Sequence, residues 1–205
     1  MNPNDGMNEG VWLEADESAI GVFHPLLQYG VRVKAEKGAG IKALLCDTMG
    51  ISAEYLDKRI QTIFLDGKPV DDPGSALLKE GSRIALSAAM PGLVGATLRR
   101  GGFFAVMRSQ ITHRPEQAAA TQEPCFVTVR VLNLLIKELA PNVLSAGIWL
   151  TREELTDLLD RGSEILAKAC RTVRLHGRDT TLESLRTDER VQETELIRVA
   201  LRRPE

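Results

Sequence analysis

The sequence predicts an α+β protein. Hydrophobic residues make up 43% and charged residues 26% of its 205 positions, which is ordinary for a soluble globular protein. Short runs of alternating apolar residues predict strands, and two longer segments place apolar residues at helical spacing. A chain of this length is sufficient for one large or two small domains, each with its own core.

The first 50 residues predict two strands followed by a helix. The strands are expected at 11–15 and 30–35. Between them, Pro25 disfavours helical geometry in the residue before it, so no regular helix is expected there. The helix is predicted to open at Gly40 and to end at Gly50. Its buried face, at i, i+3, i+4, i+7 and i+8 spacing, is formed by Ile41, Leu44, Leu45, Thr48 and Met49.

Three further strands are predicted at 61–65, 68–70 and 83–89. Asp66-Gly67 predicts a tight hairpin between the first two of these, because such a turn needs a positive φ that glycine permits. The order is then two strands, a helix, a strand, a short strand and a final strand. This is the order of elements in a β-grasp domain.

Residues 30–102 resemble the small ubiquitin-like sulfur carriers of thiamine and molybdopterin biosynthesis. The similarity lies in the helix IKALLCDTMG, the strand and turn IFLDGKPV, the entry LLKEGSRIAL to the last strand, and a diglycine, and it covers about a third of the chain. The resemblance implies a β-grasp (ubiquitin-like) N-terminal domain. It also implies that a C-terminal glycine carboxylate is adenylated by a partner enzyme and converted to a thiocarboxylate.

The diglycine of this chain is Gly101-Gly102, and it departs from the carrier pattern in two ways. Phe103 follows it, so a free carboxylate would require cleavage of the chain. About a dozen residues also separate it from the preceding strand, whereas the carriers have a short tail. A tight turn between strands at 83–89 and 103–111 is the structural interpretation of the same glycines.

The second half predicts a smaller α/β unit. Residues 126–135 favour a strand, although a buried helix from 132 to 139 is an alternative, and Pro141 is expected to break either one. A short strand then precedes a helix with a capping box at its start. That short strand is expected at 147–150, and after the helix the chain is expected to form a strand at 171–175, a turn at His176-Gly177, a short helical turn at 182–185 and a closing strand at 195–201. The predicted organisation is a disordered start (1–10), a β-grasp-like domain (11–111), a linker (112–124) and the α/β domain (125–205).

The two halves match each other at an offset of 110 positions. At this offset TIFLDGK, from Thr62 to Lys68, overlies TVRLHGR, from Thr172 to Arg178. Such self-similarity is typical of duplicated units. The alternative is that both halves use the same helix, strand, turn and strand order with common residues. On the first explanation, the C-terminal unit is a diverged duplicate that lacks the glycine-rich tail.

The segment 91–102 is the candidate binding loop. Residues 81–115 contain five arginines and no acid, although the formal net charge is −2. Consecutive exposed amides in a glycine-rich loop attract phosphate or carboxylate, and arginines strengthen such a site by charge-assisted hydrogen bonds. A packing loop with arginines on a solvated face is the alternative. The predicted binding residues are Pro91, Gly92, Gly95, Arg99, Arg100, Gly101, Gly102 and Arg108.

Several functional classes have no support in the sequence. The net charge and the 4% aromatic content make nucleic acid an improbable partner. No apolar run reaches the roughly 18 residues of a membrane span, and the N-terminus lacks a signal pattern. The three cysteines and three histidines have neither disulfide nor metal-ligand spacing. We therefore predict a cytoplasmic protein without catalytic residues, metal or cofactor.

The predicted function is a non-enzymatic binding or protein-interaction module that acts through residues 91–102. Its partner is expected to be a protein or a small anionic ligand, with a homo-oligomer as a further option. The alternative is a sulfur-carrier-like precursor that is cleaved after Gly102 and requires an adenylating partner. An enzyme with an unrecognised pocket is a third hypothesis.

Overall fold

The computed structural model describes residues 9–114, 121 and 123–204, and it confirms an α+β protein. Of the predicted disordered start, residues 1–8 lie outside this range, as do positions 115–120 and 122 of the predicted linker. No helix within the described range is both long and apolar enough to cross a bilayer.

Strands and short helices make up most of the described residues. The strands are β1 (Val11–Ala15), β2 (Val31–Glu36), β3 (Thr62–Leu65), β4 (Lys68–Pro69), β5 (Arg83–Ser87), β6 (Pro124–Leu132), β7 (Ile148–Leu150), β8 (Cys170–Leu175), β9 (Arg178–Asp179) and β10 (Ile197–Arg202). The helices are α1 (Glu17–Tyr29), α2 (Ile41–Ala43), α3 (Ala53–Lys58), α4 (Gly92–Leu98), α5 (Leu135–Ala146), α6 (Arg152–Arg161), α7 (Ser163–Ala169), α8 (Leu182–Thr187) and α9 (Glu189–Glu193), with a π-helical turn at Leu44–Thr48 and a 3-10 helix at Phe103–Arg108.

The chain divides into two compact units. The central unit runs from Leu26 to Asn142, and the terminal unit combines the residues up to Pro25 with those from Val143 onward. These boundaries differ from the predicted ones, which separate residues 11–111 from 125–205. Both ends of the chain therefore contribute to the terminal unit.

The sheet of the central unit has the order β4-β3-β5-β6-β2. Its middle pair, β5 and β6, is parallel, and the other neighbours are antiparallel. Side chains alternate between the two faces of a strand, and one face here is uniformly apolar and buried. That face consists of Val31, Val33, Ala35, Ile63, Leu65, Ile84, Leu86, Cys125, Val127, Val129 and Val131.

The sheet of the terminal unit has the order β9-β8-β1-β10-β7. Its middle pair, β1 and β10, is parallel, and its other neighbours are antiparallel. The sequence analysis placed β1 in one domain with β2, but β1 pairs with β8 and β10. Val11 and Leu13 are buried beside Val199 and Leu201 of β10, so this pairing joins the apolar side chains of both strands on one buried face.

The hairpins β3-β4 and β8-β9 are equivalent at the predicted offset of 110 positions. Asp66 and His176 are both non-glycine residues with positive φ, at 50° and 49°, and each is followed by a left-handed glycine, Gly67 (80°) or Gly177 (76°). Two consecutive positive φ angles characterise the tight hairpin turn that was predicted at Asp66-Gly67. The predicted turn at His176-Gly177 has the same geometry.

A different strand lies next to this hairpin in each unit. The backbone N–H of Asp66 donates to the Arg83 carbonyl (2.8 Å), and its Oδ1 accepts from the Arg83 N–H (2.8 Å). In the terminal unit, His176 makes the corresponding contacts with Gly10, at 2.8 Å from the backbone N–H and 3.3 Å at Nδ1. Strand β1 therefore takes the place in the terminal unit that β5 takes in the central unit.

Two helices pass through prolines at which the sequence analysis predicted that no regular helix would form. Helix α1 includes Pro25, and α5 includes Pro141. Proline removes one hydrogen bond from a helix interior, but apolar burial at helical spacing outweighs that loss here. In α1, Phe23 and Leu27 are fully buried, and α5 buries Leu139, Ala140, Val143 and Leu144.

Candidate functional site

The candidate site is the segment of residues 90–112, which lies between β5 and β6 in the chain. We call this segment the apolar lobe. It consists of α4, a turn at Gly101-Gly102, and the 3-10 helix. The sequence analysis predicted a loop at 91–102 and a strand at 103–111, and both predictions were wrong. Local hydrogen bonds satisfy the backbone instead, such as that from the Ala105 N–H to the Gly102 carbonyl (2.9 Å).

Large apolar side chains cover the surface of the lobe. Of ten exposed large hydrophobic residues in the described part of the chain, seven belong to the lobe. They are Leu93 (64% exposed), Val94 (66%), Phe103 (89%), Phe104 (40%), Val106 (80%), Met107 (70%) and Ile111 (55%). The Phe103 and Phe104 rings meet edge to face, with centroids 5.2 Å apart. An exposed apolar concentration of this kind marks an interaction surface.

The centre of the lobe is the polar residue Arg108. Its side chain is only 3% exposed and forms a bidentate ion pair with Asp71, at 2.6 and 3.0 Å. The guanidinium also donates to the carbonyls of Thr97 (2.6 Å) and Arg99 (3.4 Å) and to the Thr112 hydroxyl (2.8 Å). These five hydrogen bonds match the five donors of a guanidinium. Arg108 therefore connects α4, the 3-10 helix and the segment after β4.

A second arginine attaches the lobe to the rest of the central unit. The Arg100 side chain is 10% exposed and donates from Nη2 to the Leu56 carbonyl (2.8 Å), with Asp57 at 3.7 Å. Its backbone N–H donates to the Gln61 carbonyl (2.8 Å). Burial lowers the pKa of Arg100, opposed by the nearby aspartates. The His113 N–H fixes the other end of the lobe by donating to Pro69 O (2.8 Å).

The glycines of the lobe have distinct roles. A Cβ at Gly95 would collide with the Met90 carbonyl oxygen, so α4 can approach that carbonyl only because this residue is a glycine. Gly101 has a φ of 59° and lies at the turn, where its N–H is 3.5 Å from Asp71 Oδ1. Gly102 then caps the 3-10 helix without a side-chain contact.

The predicted binding residues lie together in the lobe but do different things. Arg100 and Arg108 are buried supports, while Arg99 is exposed at the end of α4. Pro91 and Gly92 are exposed at its start. The apolar surface was not predicted because residues 103–111 were interpreted as a strand. The signal that could have identified it is the concentration of apolar residues beside a glycine-rich turn.

Asp71 is a further residue that the sequence analysis did not assign. Nothing in its position between β4 and Pro73 points to Arg108, which is 37 positions away in the sequence. The sequence feature that could have indicated such a residue is the absence of acids from residues 81–115. A buried arginine in such a stretch needs a carboxylate from another part of the chain.

In another polar cluster of the central unit, both oxygens of a carboxylate already accept hydrogen bonds from neighbouring side chains. Tyr55 Oη donates to Glu138 Oε2 (2.6 Å), and Arg59 donates to both oxygens of the same carboxylate. The hydrogen bonds from Arg59 and then from Tyr55 lower the pKa of Glu138 to about 2. A carboxylate held ionised in this way does not serve as a proton donor or acceptor near neutral pH.

The described residues also contain no group of three or more His, Cys, Asp and Glu side chains that could hold a metal ion. Burial raises the pKa of the Cys170 thiol to about 11, which keeps it protonated and weakly nucleophilic. Comparisons of the chain with protein-family models, with curated proteins and with solved structures each found no match.

Proposed function

We propose that this chain is a non-enzymatic protein-interaction module and that the apolar lobe is its docking surface. The observation that carries the proposal is the reversed distribution of side chains in the lobe, because Arg108 is buried while the phenylalanines and several aliphatic residues are exposed. Seven large apolar side chains exposed at 40–89% lie in this one segment, and exposed apolar patches on monomeric proteins are often functional.

The polar contacts that fix the backbone of the lobe support this proposal. Arg108 and Arg100 fix the backbone through side-chain contacts to Asp71 and to the Leu56 carbonyl. A surface that is fixed before binding loses less conformational entropy on association than a flexible loop does. The apolar side chains are therefore held in place for a partner by the polar interior of the lobe.

The charge of the segment indicates the partner's chemistry. Arg99 and Arg114 are exposed in a stretch that has no acid. Two copies of this chain meeting through the lobe would bring like charges together, which disfavours self-association. The partner we propose is a different protein, with an apolar centre to its binding surface and acidic residues around it.

We also propose that both units are β-grasp folds in which the strands do not follow the usual order along the chain. In the central unit, β6 takes the place of the first β-grasp strand, next to β2 and parallel to β5. In the terminal unit, β1 lies parallel to β10 and beside β8. The matching hairpin turns at Asp66 and His176 support a duplication. Three free cysteines are compatible with a cytoplasmic location.

The sulfur-carrier alternative receives less support from the geometry. It requires cleavage after Gly102, which would separate Arg108 from the Thr97 and Arg99 carbonyls that its guanidinium binds. The intact mass of the protein from its native cells distinguishes the two functions. The docking proposal predicts a full-length chain, whereas the carrier proposal predicts a species ending at Gly102.

The docking proposal is tested by affinity purification from native cells with wild type and with the double variant Phe103→Asp/Val106→Asp. Both side chains are at least 80% exposed, so the variant is expected to fold normally. The matched control, Lys42→Asp/Lys58→Asp, changes two exposed residues on the helices of the same unit. A partner that binds wild type and control, and is lost with the lobe variant, is then purified and titrated directly.

The expected result is binding that weakens at least tenfold for the lobe variant alone. Equal binding by wild type and lobe variant would contradict the proposal. If wild type instead forms a homodimer and the lobe variant does not, the partner of the lobe is a second copy of this chain. If wild type cosediments with lipid vesicles and the same variant does not, the lobe is a membrane-contacting surface instead.

A further inference from the structure

The central unit has a second surface, the open face of its sheet, which is chemically different from the apolar lobe. Side chains on this face alternate with the buried ones along β2, β3, β5 and β6. The residues of this face are Arg32, Lys34, Glu36, Thr62, Phe64, Arg83, Ala85, Ser87, Pro124, Phe126, Thr128, Arg130 and Leu132, of which Thr62 and Ser87 are buried. Four of them are cations, and Glu36, at the end of β2, is the only acid.

Register brings the cations of different strands into adjacent rows. Thr128 of β6 lies opposite Arg32 of β2 on one side and Arg83 of β5 on the other. Neighbouring strands are about 4.8 Å apart, so two arginine side chains flank one hydroxyl across roughly 10 Å. Arginine and threonine are side chains that commonly bind phosphate oxygens.

Aromatic side chains lie in the rows on either side. Phe126 lies opposite Lys34, and Phe64 lies opposite Ala85, which in turn neighbours Arg130. Both phenylalanines are half-buried, whereas Lys34, Arg83 and Arg130 are exposed. Surfaces that bind single-stranded nucleic acid combine cations along the backbone path with aromatic rings on which bases stack.

Gly30 makes room for one of these cations. A Cβ at this position would lie 2.9 Å from Cγ of Arg130 and 2.7 Å from Cγ2 of Thr128. The Arg130 stem therefore passes over the backbone at the start of β2, and its Nε donates to the Gln28 carbonyl (3.2 Å). The guanidinium is positioned on the sheet and is still exposed.

The corresponding face in the terminal unit has a similar composition. Arg174 lies over the ring of Trp12, with 5.6 Å between the guanidinium carbon and the ring centroid. Trp149 lies opposite Arg198. The side chains of this face are Trp12, Glu14, Trp149, Thr172, Arg174, Arg198, Ala200 and Arg202. Basic and aromatic residues thus recur on the equivalent face of each unit.

We propose that the open face of the central sheet binds single-stranded nucleic acid. The net charge of −2 led the sequence analysis to regard nucleic acid as an improbable partner, but net charge does not report how charge is distributed. Strand register places four cations and one acid, Glu36, on this face. The half-buried rings of Phe64 and Phe126 favour an unpaired strand, whose bases are free to stack on them, over a duplex, whose bases are stacked inside the helix.

The test is fluorescence anisotropy with labelled single-stranded RNA and DNA of about 20 nucleotides, from about 50 to 200 mM salt. The variant is Arg83→Gln/Arg130→Gln, and the charge-matched control is Lys42→Gln/Lys58→Gln on the helices of the same unit. We expect the variant to bind at least tenfold more weakly than the control at low salt. The salt slope is expected to fall by about 1.4, since each lost phosphate contact contributes about 0.7 for single strands.

Three results would overturn the proposal. They are no binding by wild type at the lowest salt, an equal loss in variant and control, and binding of a polyglutamate peptide as tight as that of the oligonucleotide. The lobe variant Phe103→Asp/Val106→Asp should bind the oligonucleotide like wild type, because the two surfaces are chemically independent. Circular dichroism and thermal unfolding check that each variant is folded.

Discussion

Asp71 holds the buried guanidinium of Arg108 through both carboxylate oxygens, at 2.6 and 3.0 Å, across 37 positions of sequence. Through this pair the segment after β4 and the 3-10 helix are joined at the base of the apolar lobe. Bidentate pairs of arginine with a carboxylate combine strength with fixed geometry. The exposed phenylalanines thus depend on a polar interaction for their position.

Replacing Arg108 with lysine is predicted to loosen the lobe. Lysine has three donors and no planar fork, so it cannot reproduce the five hydrogen bonds of the guanidinium. We expect the free energy of unfolding to fall by about 1–3 kcal/mol, the range for leaving buried polar groups unsatisfied. Hydrogen exchange should accelerate in α4 and the 3-10 helix and remain slow in β3. Arg99→Lys, at an exposed position, is the control, and an equal effect of both variants would contradict a supporting role for Arg108.

Gly95→Ala and Gly21→Ala are predicted to have opposite effects. At Gly95 the new methyl group would meet the Met90 carbonyl, whereas nothing lies within 4 Å of a Cβ at Gly21, inside α1. Overpacking typically costs about 1–3 kcal/mol, and glycine to alanine in a helix interior contributes about 0.5–1 kcal/mol. Denaturant unfolding should therefore give a less stable Gly95 variant and a more stable Gly21 variant. Equal stability of the two would contradict the close approach of α4 to Met90.

His176→Asp is predicted to be tolerated, because aspartate occupies the equivalent turn position in the central unit. Its carboxylate would accept from the Gly10 N–H, as Asp66 does from Arg83. His176→Val should destabilise by roughly 1–2 kcal/mol, since a branched side chain is strained at a φ of 49°. The comparison is made by thermal unfolding of the two variants. Equal losses would show that the turn does not depend on this conformation.

Stability is predicted to depend on Glu138 at acidic pH. Its pKa of about 2 lies below the ordinary value of 4.5, so its contribution is present above pH 4.5 and is lost as the pH falls through 2. At neutral pH, Glu138→Gln should lower the free energy of unfolding by about 1 kcal/mol, since the pair is partly exposed. The difference from wild type should shrink towards pH 2. A difference that is independent of pH would contradict the ionised Arg59 pair, and Glu164→Gln at an exposed position is the control.

The local elements were predictable where one pattern dominated. Asp66-Gly67 identified its hairpin because few residues accept consecutive positive φ angles, and the offset of 110 positions identified the matching turn at His176. Strand β1 was also predicted with its observed bounds. Its neighbours were not, because apolar alternation does not specify which of several apolar strands will pair with it.

The remaining differences arise from tertiary contacts. Pro25 and Pro141 are accommodated in helices because their neighbours bury apolar side chains, a gain that a local rule for proline omits. The apolar lobe was interpreted as loop and strand because its conformation depends on Arg108 reaching Asp71. Net charge likewise concealed the excess of cations, Arg83 and Arg130 among them, on one face of the central unit's strands.

The central claim is that the apolar lobe is a docking surface, and the hydrogen-exchange footprint of the bound partner tests it most directly. With the partner identified by affinity purification, exchange is compared for the free chain and the complex. The account predicts slower exchange in residues 92–108 and an unchanged rate in α6, with no protection for Phe103→Asp/Val106→Asp. Protection of other segments while residues 92–108 exchange as in the free chain would contradict it.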